Sequence, residues 1–169
     1  RIYYRMRKII VTQRVVHDST TGETRDCLDQ RWIFFLKKCQ LLPLIIPNNI
    51  SFKEFIGNNK FDGILLTGGN NLMPYNGDAE KRDLLEKKLL KHAIKTKIPL
   101  VGVCRGMQII QDFFDVKLTK IKNHVTDEME IFYNKKKRIV NSFHEYGTKE
   151  NNKNFKIIAY SYDKIIKGI

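Results

Sequence analysis

The sequence predicts an α/β fold, a doubly wound and mostly parallel sheet flanked by helices, with an antiparallel extension toward the C-terminus. Three observations predict it. Apolar runs of strand length alternate with segments of helical period, the pattern of βαβ units. The run Pro99 to Val103 carries no polar side chain, as a strand covered on both faces would. From Glu130 onward the alternation gives way to two strand-like runs around a polar turn.

Taken in order, Lys8 to Thr12 is the first strand. Asp26 is placed to cap a helix in which Leu28, Trp32, Phe35, Leu36 and Cys39 recur at spacings of three and four, giving one buried stripe. Cys27 and Cys39 are read as packing residues of that helix. Leu42 to Ile46 is the second strand, ended by Pro47, and Ser51 to Ile56 is a short helix. Gly63 to Thr67 is the third strand, stopped by Gly68-Gly69. A longer helix spans about Lys81 to Lys95, with Leu85, Leu89 and Ala93 stacked one turn apart and charges on the far side. Pro99 to Val103 is the fourth strand, too uniformly apolar for a sheet edge, and Met107 to Phe114 is a helix of two turns. Glu130 to Tyr133 and Arg138 to Asn141 flank Asn134-Lys135-Lys136-Lys137 as an antiparallel hairpin. Phe155 to Ala159 and Ile165 to Ile169 read as two further strands, the second with nothing after it to pair with or cover it. No repeat and no Pro- or Gly-rich linker appears, so one domain over residues 1–169 is expected, incomplete at its C-terminus. Arg1 to Arg5 precede Met6, where the natural start is expected.

At 169 residues and 42% hydrophobic content the chain can bury one globular core. The longest apolar runs fall far short of the roughly 20 residues a membrane span needs, and no signal-like segment opens the chain. A cytoplasmic protein without a membrane partner is expected. Three cysteines, an odd number without C-x-x-C spacing, point to neither a disulfide framework nor a zinc site. No cofactor or metal is expected. The formal net charge of +13 raises the question of a nucleic-acid partner. The lysines, however, are scattered among asparagines, as in Asn151-Asn152-Lys153-Asn154, which reads as solvated surface. That excludes a nucleic-acid interface and leaves electrostatic steering of a small anionic substrate.

The chemistry concentrates at Gly102-Val103-Cys104-Arg105-Gly106, a nucleophile flanked by glycines two residues away on each side, where a buried strand meets a helix. This is the layout of a nucleophile elbow. The turn is so tight that a Cβ at Gly102 or Gly106 would obstruct it. It also sets the sulfur at a helix N-terminus, where free N–H groups and the macrodipole favour thiolate. The N–H of Arg105 is then aimed where an oxyanion would form. Gly68-Gly69 fits the same site, since a backbone that must approach a reacting carbonyl closely should carry no side chain.

With these residues in view, the chain resembles the class I glutamine amidotransferases and, within them, the γ-glutamyl hydrolase branch of C26-type peptidases. The resemblance runs from about Lys8 to the end. It rests on Leu65-Leu66-Thr67-Gly68-Gly69-Asn70, on Arg82-Asp83 with Glu86, on Gly102 through Gln108, and on Asn141-Ser142-Phe143-His144. It implies Cys104 as nucleophile, the backbone N–H groups of Gly69 and Arg105 as oxyanion hole, and Gln108 with the Ser142-Phe143 backbone as holders of the glutamyl amino and carboxylate groups. Gly68 and His144 would line the same pocket. Further matches at Thr12 to Val15, Arg25 to Trp32 and Pro47-Asn48-Asn49 resemble, within that branch, hydrolases of γ-glutamyl nucleotide amidates that serve capsule biosynthesis. The chain departs from the pattern at Asn71, where an acidic residue is common, and at Asp115, where glycine is.

A larger departure concerns the base. The family places its histidine and the orienting acid in a His-x-Glu motif on a late segment. None of the four histidines, His17, His92, His124 and His144, is followed by x-Glu. Without a proton acceptor the cysteine lacks half of what nucleophilic catalysis needs, so the 169 residues alone are expected to be nearly inactive. His144 is read as a pocket residue with a substitute base as its rival role. His124 is either a site residue or a structural one, His92 a surface residue, and His17 part of a polar loop. Arg82, Asp83 and Glu86 are either a charge cluster at a helix start or organisers of the pocket. Three functions remain open: a hydrolase of γ-glutamyl amides, a glutaminase subunit that passes ammonia to a synthetase partner, and a non-catalytic γ-glutamyl-binding protein. A homodimer is compatible with each.

Overall fold

The computed structural model describes residues 6–169, and the expectation about Arg1 to Arg5 lies outside the described residues. The chain divides into two compact units, Arg1–Gly106 and Met107–Ile169.

The first unit is built on β1 (Arg7–Val11), β2 (Arg14–His17), β3 (Thr24–Cys27), α1 (Arg31–Lys38), β4 (Leu41–Ile45), α2 (Phe52–Asn58), β5 (Gly63–Leu66), α3 (Glu80–Thr96) and β6 (Leu100–Gly102). Strands β4, β1, β5 and β6 form a parallel sheet in that order. Successive side chains of β1 and β5 point to opposite faces. Val11 and Leu65 bury against Leu36 of α1, with Ile9, Leu28, Trp32 and Leu41 packed around them. Leu66, one residue on, faces the other way, where Gly106 lies against it. α3 buries Leu85, Leu89, Leu90 and Ala93. The expected strands and helices of the sheet are therefore present, with ends shifted by one or two residues.

Three expectations need correction. The segment before α1 is not helical: β2 and β3 pair as an antiparallel hairpin, Val15 opposite Asp26. Its turn is closed by the Asp18 carboxylate, which accepts from the N–H groups of Thr20 and Thr21, and by Gly22 at φ 72°. Asp26 therefore caps nothing. It accepts from the backbone and side-chain amides of Asn48, at 2.8 and 2.7 Å, and α1 starts at Arg31 without a side-chain cap. The stripe on α1 is correspondingly narrow: Leu36 is buried, while Phe35 and Cys39 are exposed and Cys27 is half-buried in β3. Finally, β6 is the edge of the described sheet despite its apolar sequence, with Val101 59% exposed. An apolar run reports affinity for cover; which strand lies beside it is decided elsewhere in the chain.

The second unit contains most of α4 (Arg105–Phe113), then β7 (Thr119–Lys120), β8 (Val125–Tyr133), β9 (Lys136–Phe143), β10 (Tyr146–Gly147), β11 (Ala159–Ser161) and β12 (Ile166–Gly168). Strands β12, β11, β8 and β9 form an antiparallel sheet, and β7 pairs with β10. The expected hairpin is β8–β9. Its turn is the two residues Asn134 and Lys135, both at positive φ, whose twist matches that of the flanking strands. The last strand is neither unpaired nor uncovered: β12 pairs with β11, and Ile165 and Ile166 are buried. Residues 155–158 lie before β11 as irregular chain.

Candidate active site

Cys104 sits between β6 and α4 with φ at 57°, a left-handed backbone that a residue with a Cβ adopts only under constraint. The constraint is visible on both sides. Val103 N–H donates to Leu66 O at 2.9 Å, extending the β5–β6 ladder to the elbow. Gly106 N–H donates to Val103 O at 2.9 Å, and a Cβ on Gly106 would fall 2.1 Å from Leu66 O. The missing Cβ lets the Gly106 backbone rest directly on that of β5, and this close approach forces the reversal at Cys104. The side chain of Cys104 is exposed, and a Cβ built on Gly68 would stand 3.7 Å from its sulfur. The Gly68-Gly69 loop thus borders the thiol.

That loop is held from behind by Arg82. Its guanidinium donates to three successive carbonyls, those of Thr67, Gly68 and Gly69, at 2.8, 3.0 and 2.6 Å. A trans peptide points its N–H opposite its C=O, so binding Gly68 O turns the Gly69 N–H away from Arg82. Gly69 takes φ 85°, and a Cβ there would meet Arg14 at 3.0 Å. Asn70 completes the clamp, its side chain accepting from Val15 N–H at 2.8 Å and donating to Val15 O at 2.9 Å.

Arg82 belongs to a four-charge cluster with Asp83, Glu86 and Arg105, each at least 95% buried. Arg82 Nε donates to Glu86 at 3.0 Å, and the Arg105 guanidinium bridges Glu86 and Asp83. Two positive and two negative groups cancel, which makes so many buried charges tolerable. Burial lowers the Arg82 pKa from its ordinary value and raises that of Asp83, against the pull of the Met73 N–H and of Arg105. The cluster lies at the start of α3, as one sequence reading has it, and its Arg82 also holds the Gly68-Gly69 loop. Arg105 sends its side chain into the cluster, so any part it takes beside Cys104 falls to its backbone.

In the second unit the residues singled out by sequence surround Lys167, which sequence reasoning missed. Lys167 Nζ lies 2.7 Å from His144 Nε2, 2.8 Å from His124 Nδ1 and 3.1 Å from Ser142 Oγ. His144 Nδ1 lies 2.8 Å from Tyr146 O, and His124 Nε2 3.0 Å from Asp163. One tautomer of each ring satisfies every contact: the far nitrogen donates its proton, and the near nitrogen accepts from the ammonium. Ser142 is buried and donates to His124 O at 2.8 Å. Burial, followed by the Lys167 charge, lowers the His144 pKa to about 4. Its basic lone pair is occupied, which removes the ground for a substitute base. Asp163, which burial would raise, is held at about 2 by hydrogen bonds from Ser161 and His124. Gln108 is buried on α4 and donates to Tyr146 O at 2.8 Å, and Phe143 is exposed. His92 packs its ring near Phe52 and Phe61, so it is less of a surface residue than expected. One lysine among many in a basic chain carries no sequence signal for Lys167. Arg82 did carry one, in its spacing with Asp83 and Glu86.

Among known proteins, gamma-glutamyl-CDP-amidate hydrolase from Campylobacter jejuni is 30% identical over 163 residues, covering 94% of this chain and 80% of its own length. Gamma-glutamyl-gamma-aminobutyrate hydrolase from Escherichia coli O157:H7 is 29% identical over 98 residues, covering 52% of this chain and 39% of its own. The crystal structure of a glutamine amidotransferase from Thermotoga maritima superposes with a TM-score of 0.67 at 13% identity, over 97% of this chain and 70% of that one, a likeness of fold. The peptidase C26 family model matches residues 9–120. With an elbow at Cys104 bordered by a clamped Gly-Gly loop, on a sheet of this topology, the chain belongs to the peptidase C26 family of class I glutamine amidotransferase-like proteins.

Proposed function

We propose that the chain is a cysteine-dependent hydrolase of γ-glutamyl amide bonds. The observation that carries this reading is the left-handed backbone of Cys104 at a strand-to-helix turn, next to the Gly68-Gly69 loop. The Cys104 thiolate attacks the γ-carbonyl carbon, and the N–H groups of Gly69 and Arg105 receive the oxyanion. The C–N bond breaks, the amine departs with a proton, and a glutamyl thioester remains on Cys104. Water then attacks the thioester and releases glutamate, restoring the thiol. Gln108, Ser142, Phe143 and His144 are assigned to holding the glutamyl group, as in the family the chain resembles. Similarity to the Campylobacter jejuni hydrolase favours a γ-glutamyl nucleotide amidate as substrate, and the motif resemblance points to capsule biosynthesis as its setting. The proton acceptor falls to none of the four histidines by motif, and His144 is occupied by Lys167.

The chain is therefore expected to show a fast Cys104 and slow turnover. Brief iodoacetamide treatment at neutral pH should label Cys104 ahead of Cys27 and Cys39, because it alone stands at a helix N-terminus beyond a strand. Glutamate release from a γ-glutamyl nucleotide amidate should be lower by at least about 10²-fold than in a version supplied with a His-x-Glu segment, the usual contribution of a general base. Replacement of Cys104 by alanine should abolish both. Robust turnover by the 169 residues would show that another residue serves as base. Release from glutamine alone, with none from the nucleotide amidate, would move the function to ammonia supply.

A further inference from the structure

The first unit carries a second concave feature that the chemistry of Cys104 does not use. The chain after β4 and one face of α3 enclose an open groove of about 220 Å³, lined by Asn48, Asn49, Ile50, Ser51, Lys81, Leu84, Leu85 and Lys88. Lys81, Leu84, Leu85 and Lys88 follow the spacing that puts helical residues on one face. α3 thus sets Lys81 and Lys88 about 10 Å apart along its axis, with Leu84 and Leu85 between them. Lys81 Nζ donates to Asn49 Oδ1 at 2.9 Å, which ties the two walls together. Asn48 is 94% buried. Its amide nitrogen donates to Gln13 O and Asp26, and its Oδ1 is buried without a hydrogen-bond partner among the described residues. A buried acceptor left unmet is costly and calls for a donor.

Position gives the groove its meaning. All four strands of the sheet are parallel, so the segments following β4, β1, β5 and β6 emerge at one edge, where ligands of open α/β sheets bind. Cys104 follows β6 and Asn48 follows β4, at opposite ends of the strand order. Three strand spacings separate them, about 14 Å. Glutamine is too short to reach from Cys104 into the groove, whereas an extended leaving group is long enough. The connection between them is built of residues already described. Asn48 bonds Gln13 O, Arg14 packs on Gly69, and Lys81 adjoins Arg82, which holds the Gly68-Gly69 carbonyls.

We propose that this groove is the subsite for a phosphate-bearing leaving group: Lys81 and Lys88 take the anionic oxygens, and a donor on the ligand meets Asn48 Oδ1. The proposal rests on the γ-glutamyl amide reading and deepens it, because a subsite so far from the nucleophile serves a nucleotide-sized amine and has no use in supplying ammonia. The test uses the 169-residue chain and needs no turnover. Cytidine 5′-diphosphate, inorganic pyrophosphate and uncharged cytidine are titrated calorimetrically at low ionic strength into the wild type and into a Lys81→Gln/Lys88→Gln variant. The diphosphate and pyrophosphate should bind the wild type and cytidine should not. Losing two charge-assisted contacts should weaken binding at least about tenfold. The melting temperature and the iodoacetamide rate of Cys104 should be unchanged. Absence of phosphate binding to the wild type, or equal affinity in the variant, overturns the subsite. The reading of Cys104 falls separately, on loss of its preferential labelling.

Discussion

At the scale of the residue, Arg82 has the widest consequences. One guanidinium satisfies Glu86 and the carbonyls of Thr67, Gly68 and Gly69 while completely buried, so it is at once a structural cation and the clamp of the loop beside Cys104. Replacing Arg82 by methionine keeps most of the volume but leaves the cluster one positive charge short. A buried pair broken on one side costs about 3–5 kcal/mol, and urea denaturation should show a loss of that order. Arg82→Lys should recover little of it, because an ammonium on a longer stem cannot reproduce the planar fork that meets three carbonyls. Both variants should slow the labelling of Cys104 if the loop shifts, which separates the clamp from a purely structural cation.

At the scale of the element, the elbow is a contact of the Gly106 backbone with β5 more than a local turn. Gly106 is the point of contact, its missing Cβ making room for Leu66 O. Gly106→Ala would drive a methyl group into backbone, and neither a strand carbonyl nor a helix start can yield cheaply. Overpacking of this kind typically costs about 1–3 kcal/mol, and more where backbone must move. Thermal melts of Gly106→Ala and Cys104→Ala decide the point: the glycine variant should melt well below the cysteine variant, whose side chain is exposed. Equal melting temperatures with unimpaired labelling of Cys104 in Gly106→Ala would sink the elbow geometry.

At the scale of the whole molecule, a net charge of +13 already opposes compactness through self-repulsion, and acid adds to it. His144 sets where that begins. Its folded pKa of about 4 lies below the ordinary histidine value of 6.5, so between these values the unfolded chain binds a proton that the folded chain refuses. Stability should fall as pH drops through that window, and the loss from this group should be complete below it. Urea midpoints measured from pH 7 to pH 4 test the slope. Replacing Lys167 by methionine removes the second-largest cause after burial, so the His144 resonance followed by NMR should titrate at a higher pH. An unchanged titration would show that the Lys167 charge is not what holds the ring neutral.

The sequence by itself determined the α/β class, the strands of the parallel sheet, the β8–β9 hairpin and the elbow at Cys104. Each of these is written in neighbouring residues: apolar period, turn chemistry, and glycines at fixed offsets from a nucleophile. What it left undecided depended on residues far apart in the chain. Asp26 looked like a helix cap because capping is local, yet its partner is Asn48, 22 residues away. Val101 looked interior because it is apolar, yet strand order set it on an edge. His144 carried a substitute base as its rival role until Lys167, 23 residues on, was found against its lone pair. Local pattern records what a residue prefers, and tertiary structure decides which partner arrives to meet that preference, because pairing is settled by the folding of the whole chain.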